Sequence, residues 1–170
     1  MVFLVSAIIT AAGKNTRMRE DQNKKNLLIK NKLLLDIQGK PIILHTLNRV
    51  LNSDVDDCII VLGHFKEEIV VVLNDLEDNR IKIVENNRFD VPLSQSLLNG
   101  VKNSKGDICL CAAADQPTIS TKTFFKLYYV IYPFGLISYN KNYLRRLNNL
   151  ISIKVLKTLL KLLPRDVYKL

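Results

Sequence analysis

Apolar runs alternate with mixed, helix-spaced stretches along most of the chain. Val2 to Ala11 is almost continuously apolar and stops at Gly13. A strand buried on both faces reads this way. Cys58-Ile59-Ile60-Val61-Leu62, ending at Gly63, and Asp107 to Ala113 repeat the pattern, and Arg80 to Val84 is a shorter strand. Between them the period changes. Pro41 opens a helix that carries Ile42, Ile43, Leu44, Leu47 and Val50 at helical spacing. Phe65 to Leu73 is a helix with Glu67 and Glu68 in its first turn, where the dipole favours carboxylates. Ser94 to Lys102 reads as a helix with a serine start, and Ile119 to Tyr129 as another, capped by Ser120 or Thr121.

Strand and helix in alternation predict an α/β fold, a three-layer sandwich with a mainly parallel, Rossmann-like sheet. Ligands of such sheets sit beyond the carboxyl ends of the strands. Functional residues are therefore expected just after Ala11, Leu62, Val84 and Ala113. From Val130 to Leu150 the period is lost, and Val155 to Leu163 is an amphipathic helix ending at Pro164. A length of 170 residues predicts one domain, with 130–170 an atypical C-terminal segment.

Composition changes this picture little. Hydrophobic residues make up 48% of the chain, enough for a core, and no apolar run reaches the length of a membrane span. The first run has no basic leader before it, so it is expected to be a buried strand of a cytoplasmic protein. The three cysteines form no CxxC pair and suit packing. His45 is expected to pack on its helix, and His64 lies near the predicted ligand edge; there is no histidine cluster for a metal. The net charge of +9 is dispersed, without an Arg-rich patch interleaved with aromatics. It predicts no specific nucleic-acid interface and fits the mouth of a site for a polyanionic small molecule.

Three segments carry candidate chemistry. Ala11-Ala12-Gly13-Lys14-Asn15-Thr16-Arg17-Met18 follows strand one. Small residues let backbone N–H groups approach a triphosphate, and Lys14 and Arg17 would neutralise it. It matches neither GxxxxGK[ST] nor GxGxxG, and alone it is equally an ordinary glycine turn. In Asn31-Lys32-Leu33-Leu34-Leu35, Lys32 enters an apolar run. A cation so placed would stabilise charge developing on an α-phosphate; a surface lysine is the alternative. Gln38-Gly39-Lys40-Pro41 reads as a turn into a helix. Ala112-Ala113-Ala114-Asp115-Gln116-Pro117 follows the last strand. Asp115 would hold Mg²⁺ on phosphates, or simply begin a turn.

In order and spacing the three segments, with the strand ending VLGH, the VENNRF run and Ser94 to Gly100, resemble the MobA-like nucleotidyltransferases. The resemblance runs from about Val5 to Tyr129. It implies that Ala11, Ala12, Gly13, Lys14 and Arg17 bind the nucleotide. It places Ser94 and Ser96 near base or ribose, Lys32 on the phosphates as a catalytic group, and Asp115 as catalytic metal ligand for Mg²⁺. It implies transfer of a nucleoside monophosphate from an NTP to a small phosphorylated acceptor such as molybdopterin. A sugar- or alditol-phosphate acceptor is a second reading. Ala11-Ala12-Gly13 and Asp115-Gln116-Pro117 are similar to the cytidylyltransferase branch, so CTP is expected over GTP. The stretch 19–31 is longer and more polar than in short family members and is expected to be a flexible loop.

Departures are equally specific. Ala114 and Pro92 stand where the family has glycine. No acidic residue occurs between Asp115 and Asp166, so a late second metal ligand is missing. That predicts weaker metal binding, and leaves a non-catalytic nucleotide-binding relative as a third reading.

Overall fold

The computed structural model describes residues 4–26, 30–88 and 90–122. Along the chain run β1 (Val5–Ala11), α1 (Thr16–Lys24), a 3₁₀ turn (Lys32–Leu34), β2 (Asp36–Ile37), β3 (Lys40–Pro41) and α2 (Ile42–Leu51). They are followed by β4 (Asp57–Leu62), α3 (Lys66–Leu73), β5 (Ile81–Glu85), α4 (Leu93–Asn103) and β6 (Ile108–Ala113).

Four strands form a parallel sheet in the order β5-β4-β1-β6. β1 pairs with β4 through Ile8↔Ile59 and with β6 through Ile8↔Cys111. Having strands on both sides and helices on both faces explains its unbroken apolar run: Ala7, Ile8 and Ile9 are fully buried. One face packs Ala7, Ile9, Cys58 and Ile60 against Ile43, Leu47 and Val50 of α2 and Ile69 and Leu73 of α3. The other packs Ile8, Ile59 and Val61 against Val101 and Leu97 of α4. This is the expected three-layer α/β arrangement. Gly100 lets α4 lie close, because a Cβ there would collide with Ile8 Cγ2. Each fully buried aliphatic side chain of these clusters contributes about 1.5–3 kcal/mol.

Cys58 and Cys109 are buried, and none of the three cysteines is in a disulfide. Burial pushes the Cys58 thiol up to about 12, so it packs as a small apolar group. Gln38 and Gly39 both take positive φ, 53° and 80°, in the β2–β3 hairpin turn. His45 does more than pack: its Nε2 donates to Ile37 O at 2.7 Å and ties α2 to that hairpin.

Two expectations are corrected. Residues 19–24 are helical, as part of α1, where a flexible loop is expected from 19 to 31. Arg, Met, Glu, Gln and Lys favour helix, but with few apolar positions they leave no periodic stripe to read. Ser94 does not start its helix. α4 begins at Leu93, behind an extended Pro92 that makes no side-chain cap. The helix expected over 119–129 is described only at 121–122, and the 130–170 segment lies outside the described residues. No helix among the described residues is long and apolar enough to cross a membrane.

Candidate active site

The sheet has its switch point between β1 and β6. From β1 the chain adds β4 and β5 on one side, then returns to place β6 on the other. Connections leaving in opposite directions open a crevice beyond the carboxyl ends of these two strands. A cleft of about 310 Å³ lies there. Its walls include Thr10, Ala11, Ala12 and Gly13 from the end of β1, Lys32 and Leu33 from the 3₁₀ turn, Ser96 from α4, and Asp115 after β6.

Each wall is held by local chemistry. A Cβ on Gly13 would meet nothing within 4 Å, so the loop presents bare backbone to open space. A Cβ on Gly63 would lie 2.8 Å from both Ala12 Cβ and Ala12 O. Glycine after β4 thus lets the loop after β1 pass beside it. Asn15 takes φ 54°, a left-handed conformation asparagine tolerates, and turns the loop into α1. Its Nδ2 donates to Asn31 Oδ1 at 3.0 Å. The same oxygen accepts from Leu33 N at 3.0 Å and caps the turn that carries Lys32. Leu33 is buried beside it and anchors the turn. Two buried atoms of the asparagine pair, Asn15 Oδ1 and Asn31 Nδ2, have no partner among the described residues.

Across the cleft, Ala114 is buried in the core. Thr46 Oγ1 of α2 donates to Ala114 O at 2.9 Å, and Arg49 Nε donates to Pro117 O at 3.0 Å. α2 therefore grips the turn on both sides of Asp115. Lys32 Nζ and Asp115 Oδ2 meet at 2.6 Å, although 83 residues separate them in sequence. Their side chains remain 39% and 37% exposed, so the pair faces the cleft solvent. Exposed ion pairs of this kind hold little stability, about 0–1 kcal/mol, and exchange partners readily.

The structure thus brings together Ala11, Ala12, Gly13, Lys32, Ser96 and Asp115. Lys14 is exposed and is not part of the cleft wall, and Ser94 is half-buried outside it. The Arg17 side chain lies outside the described residues. His64 also stands back from the cleft wall: its Nε2 accepts from Arg19 Nη1 at 3.1 Å, linking α1 to the loop after β4. Among the described residues no three acidic, histidine or cysteine side chains gather around a common point. Sequence reasoning missed Thr10 and the Asn15–Asn31 pair. A threonine at the end of an apolar strand was a visible signal for the first; nothing local signals a bond between two asparagines sixteen residues apart.

The arrangement has close counterparts. A nucleotidyl transferase structure from Methanothermobacter thermautotroptrophicus superposes with a TM-score of 0.68 and 40% identity, over 74% of this chain and 57% of that one. The bifunctional protein GlmU of Francisella philomiragia is 32% identical over 123 residues, 72% of this chain and 25% of its own length. The 2-C-methyl-D-erythritol 4-phosphate cytidylyltransferase of Clostridium botulinum is 32% identical over 126 residues, 71% of this chain and 50% of its own length. The chain therefore spans from a quarter to half of these two curated relatives. The profile of the MobA-like NTP transferase domain matches residues 7–161, a span that includes the β1 loop, Lys32 and Asp115, and the chain belongs to that family.

Proposed function

We propose that the cleft binds a nucleoside triphosphate and that the chain transfers its nucleoside monophosphate to a small phosphorylated acceptor, releasing pyrophosphate. The observation that carries this reading is the meeting of Lys32 and Asp115 across the cleft from the open backbone of Ala11 to Gly13. A cation, a carboxylate and free N–H groups at the switch point of a parallel sheet match the charge of a triphosphate.

The donor chemistry fits Mg²⁺. Asp115 offers a hard carboxylate oxygen at the open end of β6, and Mg²⁺ is commonly held by one or two carboxylates with phosphates and water completing its shell. When bound, Mg²⁺ would spread the negative charge of the triphosphate. Lys32 must part from Asp115 to act. Its ammonium then lies against the α-phosphate, where charge grows as the acceptor oxygen forms its bond to phosphorus and the bond to pyrophosphate breaks. Backbone N–H groups of Ala12 and Gly13 hold the β- and γ-phosphates, and the positive charges of Lys14 and Arg17 help to neutralise them. Ser96, on the cleft wall, is the proposed contact to base or ribose, with Ser94 two residues before it on α4.

CTP is the proposed donor, on the Ala-Ala-Gly loop and the Asp-Gln-Pro turn. The family likeness favours a molybdopterin-type acceptor. The likeness to a methylerythritol phosphate cytidylyltransferase supports an alditol phosphate as the second reading. Pyrophosphate release with CTP or GTP, Mg²⁺, and molybdopterin or methylerythritol phosphate decides among them. The expected result is CTP-dependent release with one acceptor, lost in Asp115→Ala. CTP binding without release on either acceptor would replace transfer by nucleotide binding alone.

A further inference from the structure

A row of polar side chains runs from the outside of the sheet to the cleft. Lys82 Nζ on β5 donates to Asn103 Oδ1 at 3.2 Å. Asn103 Nδ2 donates to Asn99 Oδ1 at 3.2 Å. Asn99 Nδ2 donates to Asn86 Oδ1 at 3.2 Å and to Glu85 O at 2.9 Å. Asn86 Nδ2 donates to Ser96 Oγ at 2.9 Å. Ser96 is 2% exposed and lines the cleft; Asn86 is 8% exposed and stands behind it.

The direction of this row is fixed at both its outer and middle links. An ammonium has only donors, so Lys82 holds the Asn103 amide with its oxygen outward. A carbonyl only accepts, so Glu85 O independently holds the Asn99 amide with its nitrogen toward Asn86. Asn86 is then oriented by Asn99: its oxygen is taken, and its nitrogen faces Ser96. Ser96 Oγ must accept. Its own proton has no acceptor among the described residues and is free for an occupant of the cleft. Successive bonds of one direction polarise each other and strengthen that bias.

We infer that Asn86 is a positioning residue that makes the Ser96 hydroxyl an obligate hydrogen-bond donor, so that the bound nucleotide meets it with an acceptor atom. This rests on the reading that the cleft takes a nucleotide. It adds a polarity to that site: a ligand presenting an amino group at Ser96 is disfavoured, and one presenting a carbonyl, a ring nitrogen or a ribose or phosphate oxygen is favoured.

The test is a double-mutant cycle read by calorimetric titration with CTP and with GTP. Ser96→Ala removes the donor and should weaken binding about five- to tenfold, the usual worth of one hydrogen bond. Asn86→Asp keeps the shape but makes Ser96 give its proton to the carboxylate. It should weaken binding at least as much, and more than Asn86→Ala, which leaves the serine proton free. Asn99→Asp reverses the row one link further out, at a half-buried position, and covers the case in which Asn86→Asp does not fold. In a Ser96→Ala background each aspartate substitution should change affinity less than twofold. A merely structural role predicts the opposite order, with Asn86→Ala the worse. That order overturns the inference, as do aspartate effects that persist in full without the serine hydroxyl. Wild-type binding with unaffected Ser96→Ala and Asn99→Asp overturns it alone; a wild type that takes neither nucleotide removes the reading beneath it as well.

Discussion

At the amino ends of β1, β4 and β6, both carboxylate oxygens of the buried Asp57 are answered. Asp57 is 5% exposed and accepts from Ser6 Oγ and, at 2.9 Å, from Lys105 N. Ser6 Oγ in turn accepts from Gly106 N at 2.7 Å, and Asp56 takes Val5 N at 2.6 Å. At the carboxyl ends of β1 and β6 the chain is arranged otherwise. Two buried asparagine atoms lack partners among the described residues, and Lys32 and Asp115 satisfy each other in view of solvent. One sheet thus has a sealed end and an open end. Buried polar groups are stable when paired and costly when not. Leaving them unpaired at one end only is the expected mark of a place prepared for a ligand.

The contrast is testable from both sides. The largest effect is expected at the open end, in rate. Lys32→Met should lower pyrophosphate release by 10²-fold or more, the range for losing one charge-stabilising group. The thermal midpoint should move little, because the lost pair is exposed. A drop of many degrees with activity kept would erase the distinction between the ends. Next comes the sealed end, in stability. Asp57→Ala strands the Ser6 hydroxyl and Lys105 N and should cost about 3 kcal/mol in urea unfolding, with nucleotide affinity of the folded protein unchanged. Gly63→Ala should weaken nucleotide binding about tenfold, roughly 1.4 kcal/mol, because the new methyl displaces Ala12 in the loop after β1. Unchanged affinity would show that this close approach does not shape the loop.

The smallest effect lies at the outer rim of the amino end. Arg80 pairs with Asp78 at 2.7 Å and donates to Leu51 O and Val55 O, joining the chain before β4 to the start of β5. Its hydrogen bond holds the Asp78 carboxyl below the usual carboxylate range. A depressed folded-state pKa means that this contribution is present at neutral pH, above the unfolded value. It is lost as pH falls through the acid range below about 4. Asp78→Asn should remove about 1 kcal/mol at pH 7 and less at pH 3. Equal losses at both pH values would contradict the assignment.

How much of this was legible in the sequence follows from where burial leaves a pattern. β1, β4 and β6 show as apolar runs because both their faces are covered, and α2 because its stripe of Ile43, Leu47 and Val50 is regular. α1 did not show, since a polar helix carries no stripe. The open end was legible in its poles: a lysine entering leucines and an aspartate after small residues at a strand end point to the same crevice. Their contact at 2.6 Å was not, because it spans 83 residues and two different connections. The asparagines of the site were invisible for a related reason. Asn15, Asn31, Asn86 and Asn99 act through hydrogen-bond direction, which no periodicity encodes.

The open end of the sheet is proposed to hold a nucleoside triphosphate between the β1 loop, Lys32 and Asp115. Calorimetric titration of the wild type, Lys32→Met and Asp115→Ala with CTP and GTP, each with and without Mg²⁺, tests it most directly. The expected result is binding of CTP in preference to GTP, strengthened by Mg²⁺ in the wild type, weakened in Lys32→Met, and insensitive to Mg²⁺ in Asp115→Ala. No heat with either nucleotide, or binding that neither substitution alters, would contradict it.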